Sequence, residues 1–346
     1  MFEDVAAVAR GVASQLGLTF FVAGFIPALT LVVLNQYVFF GAYGVWDLVP
    51  QIDKPLLGLL TGEFLTTLAL ALALAVVLVP LNLFLTRLFE GLLPGMRQVL
   101  APFYAAKRRR HAKLYAPIQA EREARHNLLA EFEAGGDFDA AADAALQRRL
   151  QQLHAERERT DPLQRLPYER PRLTPTEFGN VWAVMEEYPL ARYGMDGMFF
   201  WPYLRTVLLE ENPALLAQID DQKLLVDMSI NLAFVAGLAT LEGLVFAGLR
   251  SEPLLLAVAA VAAVGFVIFY GAAVQYAWGM GEMVAQSFDL YRLHLLDMLG
   301  LARPDDLDEE YWTWLRLTAF FRRGEPFYFD MLPRAGEDDP GFEESA

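Results

Sequence analysis

Glu242 is the residue whose position most needs explaining. It is the one charge between Asp227 and Arg250 in an otherwise apolar stretch, eight residues before Arg250. At a rise of about 1.5 Å per residue, its carboxyl lies roughly 12 Å below the outer end of a helix. An ionisable group at that depth is costly, and it usually faces a bundle interior or a water-filled path. Two uses fit: a pore-lining or proton-accepting carboxylate, or a protonated acid bonded to a Thr or Gln of a neighbouring helix. Asp227, Ser229 and Asn231 make a polar half-turn at the inner end of the same stretch. With Asn82 and Gln275 they either line a cytoplasmic vestibule or cap helices at the membrane boundary.

A second chemistry lies in the basic run Lys107, Arg108, Arg109, Arg110, His111, Ala112 and Lys113. Clusters of this kind beside a membrane helix attract anionic lipid head groups. The run serves equally well as a signal that sets topology.

Enzyme chemistry finds no such footing. His111, His126, His154 and His294 show no i, i+4 pairing. There is no HExxH, no Walker loop and no GxGxxG opening a helix. Gly194-Met195-Asp196-Gly197 has the wrong glycine spacing for an intramembrane aspartyl protease. Asp137-Phe138-Asp139 with Asp143 lacks the glycine and terminal glutamate of a calcium loop. With no cysteine in the chain, a disulfide framework, a thiolate metal site and a cysteine nucleophile are all excluded. The expectation is a non-enzymatic protein with no metal and no cofactor.

The elements that position these residues follow from four apolar stretches, two on each side of a polar centre. Arg10 to Asp47, Glu63 to Arg87 and Glu252 to Glu282 hold no charge between their ends, and the fourth stretch holds only Glu242. About 20 apolar residues cross a bilayer as a helix. The chain of 346 residues, 55% hydrophobic with mean hydropathy +0.28, therefore reads as an all-α integral membrane protein. Four transmembrane helices and a helical cytoplasmic domain are expected. The N-terminal Met1-Phe2-Glu3-Asp4 is acidic where a secretion signal would be basic, so the first helix reads as a retained anchor.

Charge sets the orientation. Eighteen of the 28 basic residues fall between 91 and 226, while the two hairpin turns carry only Lys54 and Arg250. Loops rich in Lys and Arg stay inside, which puts the centre and both termini on the cytoplasmic face of the inner (plasma) membrane. Residues 281 to 346 hold 15 acids against six arginines. That balance argues against nucleic acid as a partner, because phosphate contacts need cations.

The expected domains are a first transmembrane hairpin (1–90), a cytoplasmic helical domain (91–226), a second transmembrane hairpin (227–281) and C-terminal helices with an acidic tail (282–346). In the first span, Tyr37, Tyr43 and Trp46 suit an interfacial belt. Within 91–226, two charged arms around Gly135-Gly136 suggest a coiled-coil-like hairpin, with Leu146, Leu150 and Leu153 as the stripe of the second arm. Pro162, Pro167, Pro171 and Pro175 mark a linker. The aromatic segment from Phe178 to Leu209 is either a set of short helices at the membrane surface or a packed core. Asn212-Pro213 reads as an N-cap and N1 pair. The last span is expected from about Pro253 to Trp278, and a separate amphipathic helix from Glu282 to Leu301.

Two stretches carry a resemblance. Gly179-Asn180-Val181-Trp182 through Glu187-Tyr188-Pro189, then Arg192-Tyr193-Gly194-Met195-Asp196 and Trp201-Pro202, resemble a segment of a family of uncharacterised bacterial integral membrane proteins. Ser287-Phe288-Asp289-Leu290-Tyr291-Arg292 with Leu295-Leu296 resembles the helix that follows the membrane in that family. The resemblance implies a bacterial origin and transfers no catalytic residue. Arg192 or Arg292 is expected to pair with Asp196 or Asp289.

The functional expectation is a homo-oligomeric channel or pore, lined by Glu242 and the Asn and Gln residues and gated by the cytoplasmic domain. The alternative is a membrane-anchored scaffold, or a subunit of a larger membrane complex, that binds a cytoplasmic protein partner.

Overall fold

The structure, a computed structural model, describes residues 20–39, 62–133, 140–161, 165–250 and 252–327, together with Gly17. Tyr43, Trp46, Lys54, Gly135-Gly136, the Asp137-Phe138-Asp139 triplet, Pro162 and the acidic end lie outside these residues, as does the side chain of Tyr37. Every regular element among the described residues is helical. We label as α1 the run of π-helical Phe20–Phe25, α-helical Ile26–Val33 and π-helical Leu34–Phe39. Then come α2 (Gly62–Glu90), α3 (Met96–Val99), α4 (Ala101–Glu133) and α5 (Ala140–Thr160). They are followed by α6 (Glu177–Tyr193), α7 (Gly197–Glu211), α8 (Pro213–Arg250), α9 (Pro253–Met298) and α10 (Leu307–Arg323).

Three helices, α2, α8 and α9, are long and apolar enough to cross a membrane. α1 is apolar but shorter over the described residues. The separate helices expected at 253–278 and 282–301 are instead one 46-residue helix, α9. Gly279 and Gly281 between them do not end it. A helical glycine costs only about 1 kcal/mol relative to alanine, and Gly281 is packed 3.5 Å from Met185 at the position of a Cβ.

The chain divides into two compact units, one of Met1–Phe89 with Asp220–Gly279 and one of Glu90–Ile219 with Met280–Ala346. In the first unit, helix directions follow from which residues meet. α1 runs antiparallel to α2, with Thr67 bonded to Gln36 and Val79 against Gly24. It runs parallel to α8, with Asn231 meeting Ala23 and Glu242 meeting Asn35. α8 and α9 approach closely and antiparallel where Gly243 faces Ala259 and Gly237 faces Phe266. Small residues at these positions let the two backbones come that close. Much of the outer surface stays apolar: Leu72, Val76, Leu83, Leu244, Val264 and Ile268 are all exposed.

The second unit owes its helix starts to local caps. Thr176, Asp196, Asn212 and Asp306 accept from the backbone N–H three residues on, the N-cap geometry that satisfies an otherwise orphaned donor. α10 is thus capped by Asp306. Gly194 ends α6 at φ 70°, a conformation glycine adopts at no steric cost. The aromatic segment supplies core side chains on one side, with Phe200 and Leu204 buried among Phe288, Leu296, Trp314 and Leu317. On its other side Met198, Tyr203 and Leu209 stay exposed. α4 and α5 meet through Arg125–Asp143 at 2.7 Å, Arg149–Glu121 at 3.8 Å and Arg110–Asp161 at 3.4 Å. One residue number rises as the other falls, so the two helices are antiparallel, and Leu153 is buried on α5.

Candidate functional site

Glu242 does not stand free. Asn35, in the π-helical turn Leu34–Phe39, donates from Nδ2 to Glu242 Oε2 at 3.2 Å and to the Leu31 carbonyl at 3.2 Å. A π-helical turn shifts the backbone bonding by one residue, and the Asn35 carboxamide offers a donor to a carbonyl of the preceding turn. The next residue, Gln36, accepts from Thr67 Oγ1 at 2.7 Å. Consecutive residues of α1 therefore tie it to α8 and to α2. Each such bond between helices in lipid is worth about 0.6–2 kcal/mol and fixes register. The partner type differs from the Thr or Gln named on sequence grounds, and neither Asn35 nor Gln36 carries a signal beyond being polar near a helix end.

The other residues expected to share a site with Glu242 are dispersed. Asn231 lies eleven residues earlier on α8, about 16 Å away at helical rise. It is buried, and it donates to the Ala23 carbonyl at 2.6 Å. Asp227 pairs with Lys223 one turn before it. Asn82 is half-buried on α2, and Gln275 is exposed on α9. Thr86 Oγ1 donates to the Asn82 backbone carbonyl at 2.9 Å. Asn231 Oδ1 and Asn82 Oδ1 are buried without a protein partner. These residues lock helices together and do not converge on one lining.

The second unit holds a polar network that spacing did not reveal. Tyr188 and Tyr193 on α6 donate to the Asp289 carboxylate on α9, at 2.9 Å and 2.6 Å. Burial, then the bond to Asp289, pushes the Tyr188 phenol up to about 12, so it remains a donor. One turn on, Arg292 forks onto Glu310 at 2.5 and 3.2 Å and lies 3.9 Å from the Tyr193 ring. Trp314 Nε1 donates to Glu310 at 3.2 Å. The expected pairings are thereby corrected. Arg292 takes Glu310 and the Asp289 backbone carbonyl, Asp196 takes Arg322 at 2.6 Å, and Arg192 stacks over Tyr188. Geometry decides this, because a carboxylate already filled by two phenols has little room for a guanidinium fork. The two stretches that carried the family resemblance meet here.

The basic cluster is not one surface. Successive helical residues point about 100° apart, so a run of five cannot share a face. His111 is buried, with Nε2 donating toward the Pro167 and Tyr168 carbonyls, and burial pulls its pKa down. Lys107 is half-buried and its pKa is also pulled down by desolvation. Arg110 is tied to Asp161 and the Thr160 carbonyl. Arg108, Arg109 and Lys113 remain exposed. Arg108 lies over the Tyr104 ring, which Arg97 covers as well.

Among the described residues, no group of three or more His, Asp or Glu is placed to hold a metal ion. No family model, curated protein or solved structure matches this chain.

Proposed function

We propose that this protein is a non-enzymatic membrane-anchored scaffold, or a subunit of a larger membrane complex, whose extramembrane unit binds a protein partner. One observation carries the reading: the Asn35 side chain of the same chain donates to Glu242, so this carboxyl holds α8 to α1. A conducting carboxyl has to face a water path, and one engaged by a neighbouring helix serves packing first. The outward-facing Trp312, Phe320 and Phe321 of α10, with Tyr203 of α7, supply the exposed aromatic surface on which partners commonly dock.

Anchoring in this reading uses four spans in a bacterial inner membrane, with the central domain and both ends on the cytoplasmic side. Support for the fourth span comes from α1, which runs antiparallel to α2 and parallel to α8, as an up-down-up-down chain requires. The ion pairs between α4 and α5 support a coiled-coil-like hairpin within the cytoplasmic domain. Orientation is checked by labelling, for which a chain with no cysteine is well suited. In intact cells, Lys54→Cys is expected to react with a membrane-impermeant maleimide, and Arg109→Cys only after the membrane is opened. The reverse pattern would invert the assignment.

The second reading, a homo-oligomeric channel gated by the cytoplasmic domain, is favoured by α9. Its exposed side carries Ala260, Val264, Gly271 and Gln275 in register, a face on which small and polar residues promote helix association. Ion flux in liposomes decides between the two. The scaffold reading expects flux no greater than in protein-free liposomes, with Glu242→Ala lowering thermal stability only. Flux that appears with wild type and changes in Glu242→Ala would overturn it.

A further inference from the structure

Two arginines share one tyrosine ring just after the first long span. Arg97 Cζ lies 5.6 Å and Arg108 Cζ 5.9 Å from the Tyr104 ring centroid. Arg108 stands one turn after Tyr104 on α4, and Arg97 reaches the same ring from α3, across the break at Leu100. Both guanidinium groups are exposed. Among the described residues neither has a carboxylate partner, whereas Arg110, Arg125, Arg149 and Arg165 all do. Like charges held on one ring repel unless an anion bridges them, so the arrangement lacks a counter-ion. A guanidinium presents a planar fork that matches phosphate oxygens two at a time.

The neighbouring side chains say where that phosphate comes from. Leu92, Val99 and Phe103 are 54%, 74% and 64% exposed. Leu92 follows two residues after the end of α2 at Glu90. The chain tether keeps Arg97 within about 25 Å of that end. Exposed apolar side chains beside cations, tethered to a membrane helix, have the composition of a segment seated at the head-group boundary.

We propose that Arg97 and Arg108, paired over Tyr104 and flanked by exposed Leu92, Val99 and Phe103, bind the phosphate of an anionic phospholipid head group. The site includes one residue of the basic run, Arg108, and adds Arg97, which stands outside it. The inference rests on α2 being anchored in a bilayer and is independent of whether the protein scaffolds or conducts.

The test uses the full chain in mild detergent, titrated with short-chain phosphatidylglycerol or phosphatidylcholine, with bound lipid counted by native mass spectrometry. Wild type is expected to retain phosphatidylglycerol roughly tenfold better, since each cation near an anionic head group contributes on the order of a few-fold. Arg97→Gln with Arg108→Gln should bring the two lipids within about twofold of each other, while Arg109→Gln with Lys113→Gln should keep most of the preference. Inorganic phosphate in millimolar excess should leave it intact. Equal retention by wild type, a preference that survives Arg97→Gln/Arg108→Gln, or one lost equally in Arg109→Gln/Lys113→Gln overturns the proposal. Stripping by inorganic phosphate overturns it too, in favour of a soluble anion. Should the first double variant fail to accumulate, Tyr104→Leu keeps both charges and removes the ring that gathers them. It should lower the preference roughly threefold, and an unchanged preference overturns the proposal.

Discussion

Glu310→Ala is expected to destabilise its unit by about 3–5 kcal/mol, the usual cost of stranding one member of a buried ion pair. The side chains of Arg292 and Glu310 are only 13% and 4% exposed. Glu310 accepts from Arg292 Nε and Nη2 and from Trp314 Nε1, so its loss leaves three donors unmatched. Arg292 would keep the Tyr193 ring and the Asp289 carbonyl, neither of which neutralises a buried charge. A domain of this size shifts by roughly 2–4 °C per kcal/mol, which gives a fall on the order of 10 °C in a heating scan followed by tryptophan fluorescence. The companion experiment is Arg292→Met combined with Glu310→Leu. Removing both charges should recover well over half of the loss, because an apolar pair of similar volume tolerates this environment better than a lone ion. Recovery stays incomplete, as the Trp314 N–H loses its acceptor. A shift below about 2 °C for Glu310→Ala, or a double variant worse than the sum of the singles, would show that the pair does not hold this core.

Local patterns made much of the fold readable. Long uncharged runs announced the three helices that are long and apolar enough to cross a membrane, and Asn212-Pro213 announced a helix start whose cap the structure contains. Leu153 on a seven-residue stripe is buried as the period required. Those features depend on residues within a turn or two of each other. Features that depend on distant residues were not readable. Asn35 and Glu242 are 207 residues apart, and a carboxyl in an apolar helix advertises a need for a partner without naming it. Likewise the charges of Arg192, Arg292, Asp196 and Asp289 suggested pairs. The actual choice turned on Tyr188 and Tyr193 occupying Asp289, which no spacing rule encodes. Adjacency in the basic run suggests one patch, whereas helical geometry sends its members to a core, an ion pair and the solvent. Arg97 carries no such signal, because it stands ten residues before the run and only the turn at Leu100 between α3 and α4 brings it over the ring that Arg108 covers.

Gly179→Ala places two opposing effects on one residue, and their magnitudes settle the sign. Alanine is the better helix former by about 1 kcal/mol, and Gly179 lies within α6. Yet a Cβ there would come 2.2 Å from the Glu90 carbonyl oxygen, 2.6 Å from Thr174 Oγ1 and 2.9 Å from the Glu90 carbonyl carbon. Two of these atoms are backbone and cannot rotate aside. The next residue, Gly91, sits at φ +75° with Pro175 Cγ 2.7 Å from its own Cβ position, so the strand of chain that would have to retreat is itself confined. Thr174 is equally held, donating its backbone N–H to Asn180 Oδ1 at 2.8 Å while Asn180 Nδ2 donates back to the Thr174 carbonyl at 3.1 Å. Forced overpacking typically costs about 1–3 kcal/mol and more where backbone must move. A net loss of about 2 kcal/mol or more is therefore expected, seen as a lower thermal midpoint and faster hydrogen exchange at the amides of residues 173–180. Gly248→Ala is the control, because nothing lies within 4 Å of its Cβ position. There the helix preference acts alone, and stability should hold or rise slightly. A midpoint that rises in Gly179→Ala as well would mean that the contact between the end of α2 and the start of α6 is looser than these distances require.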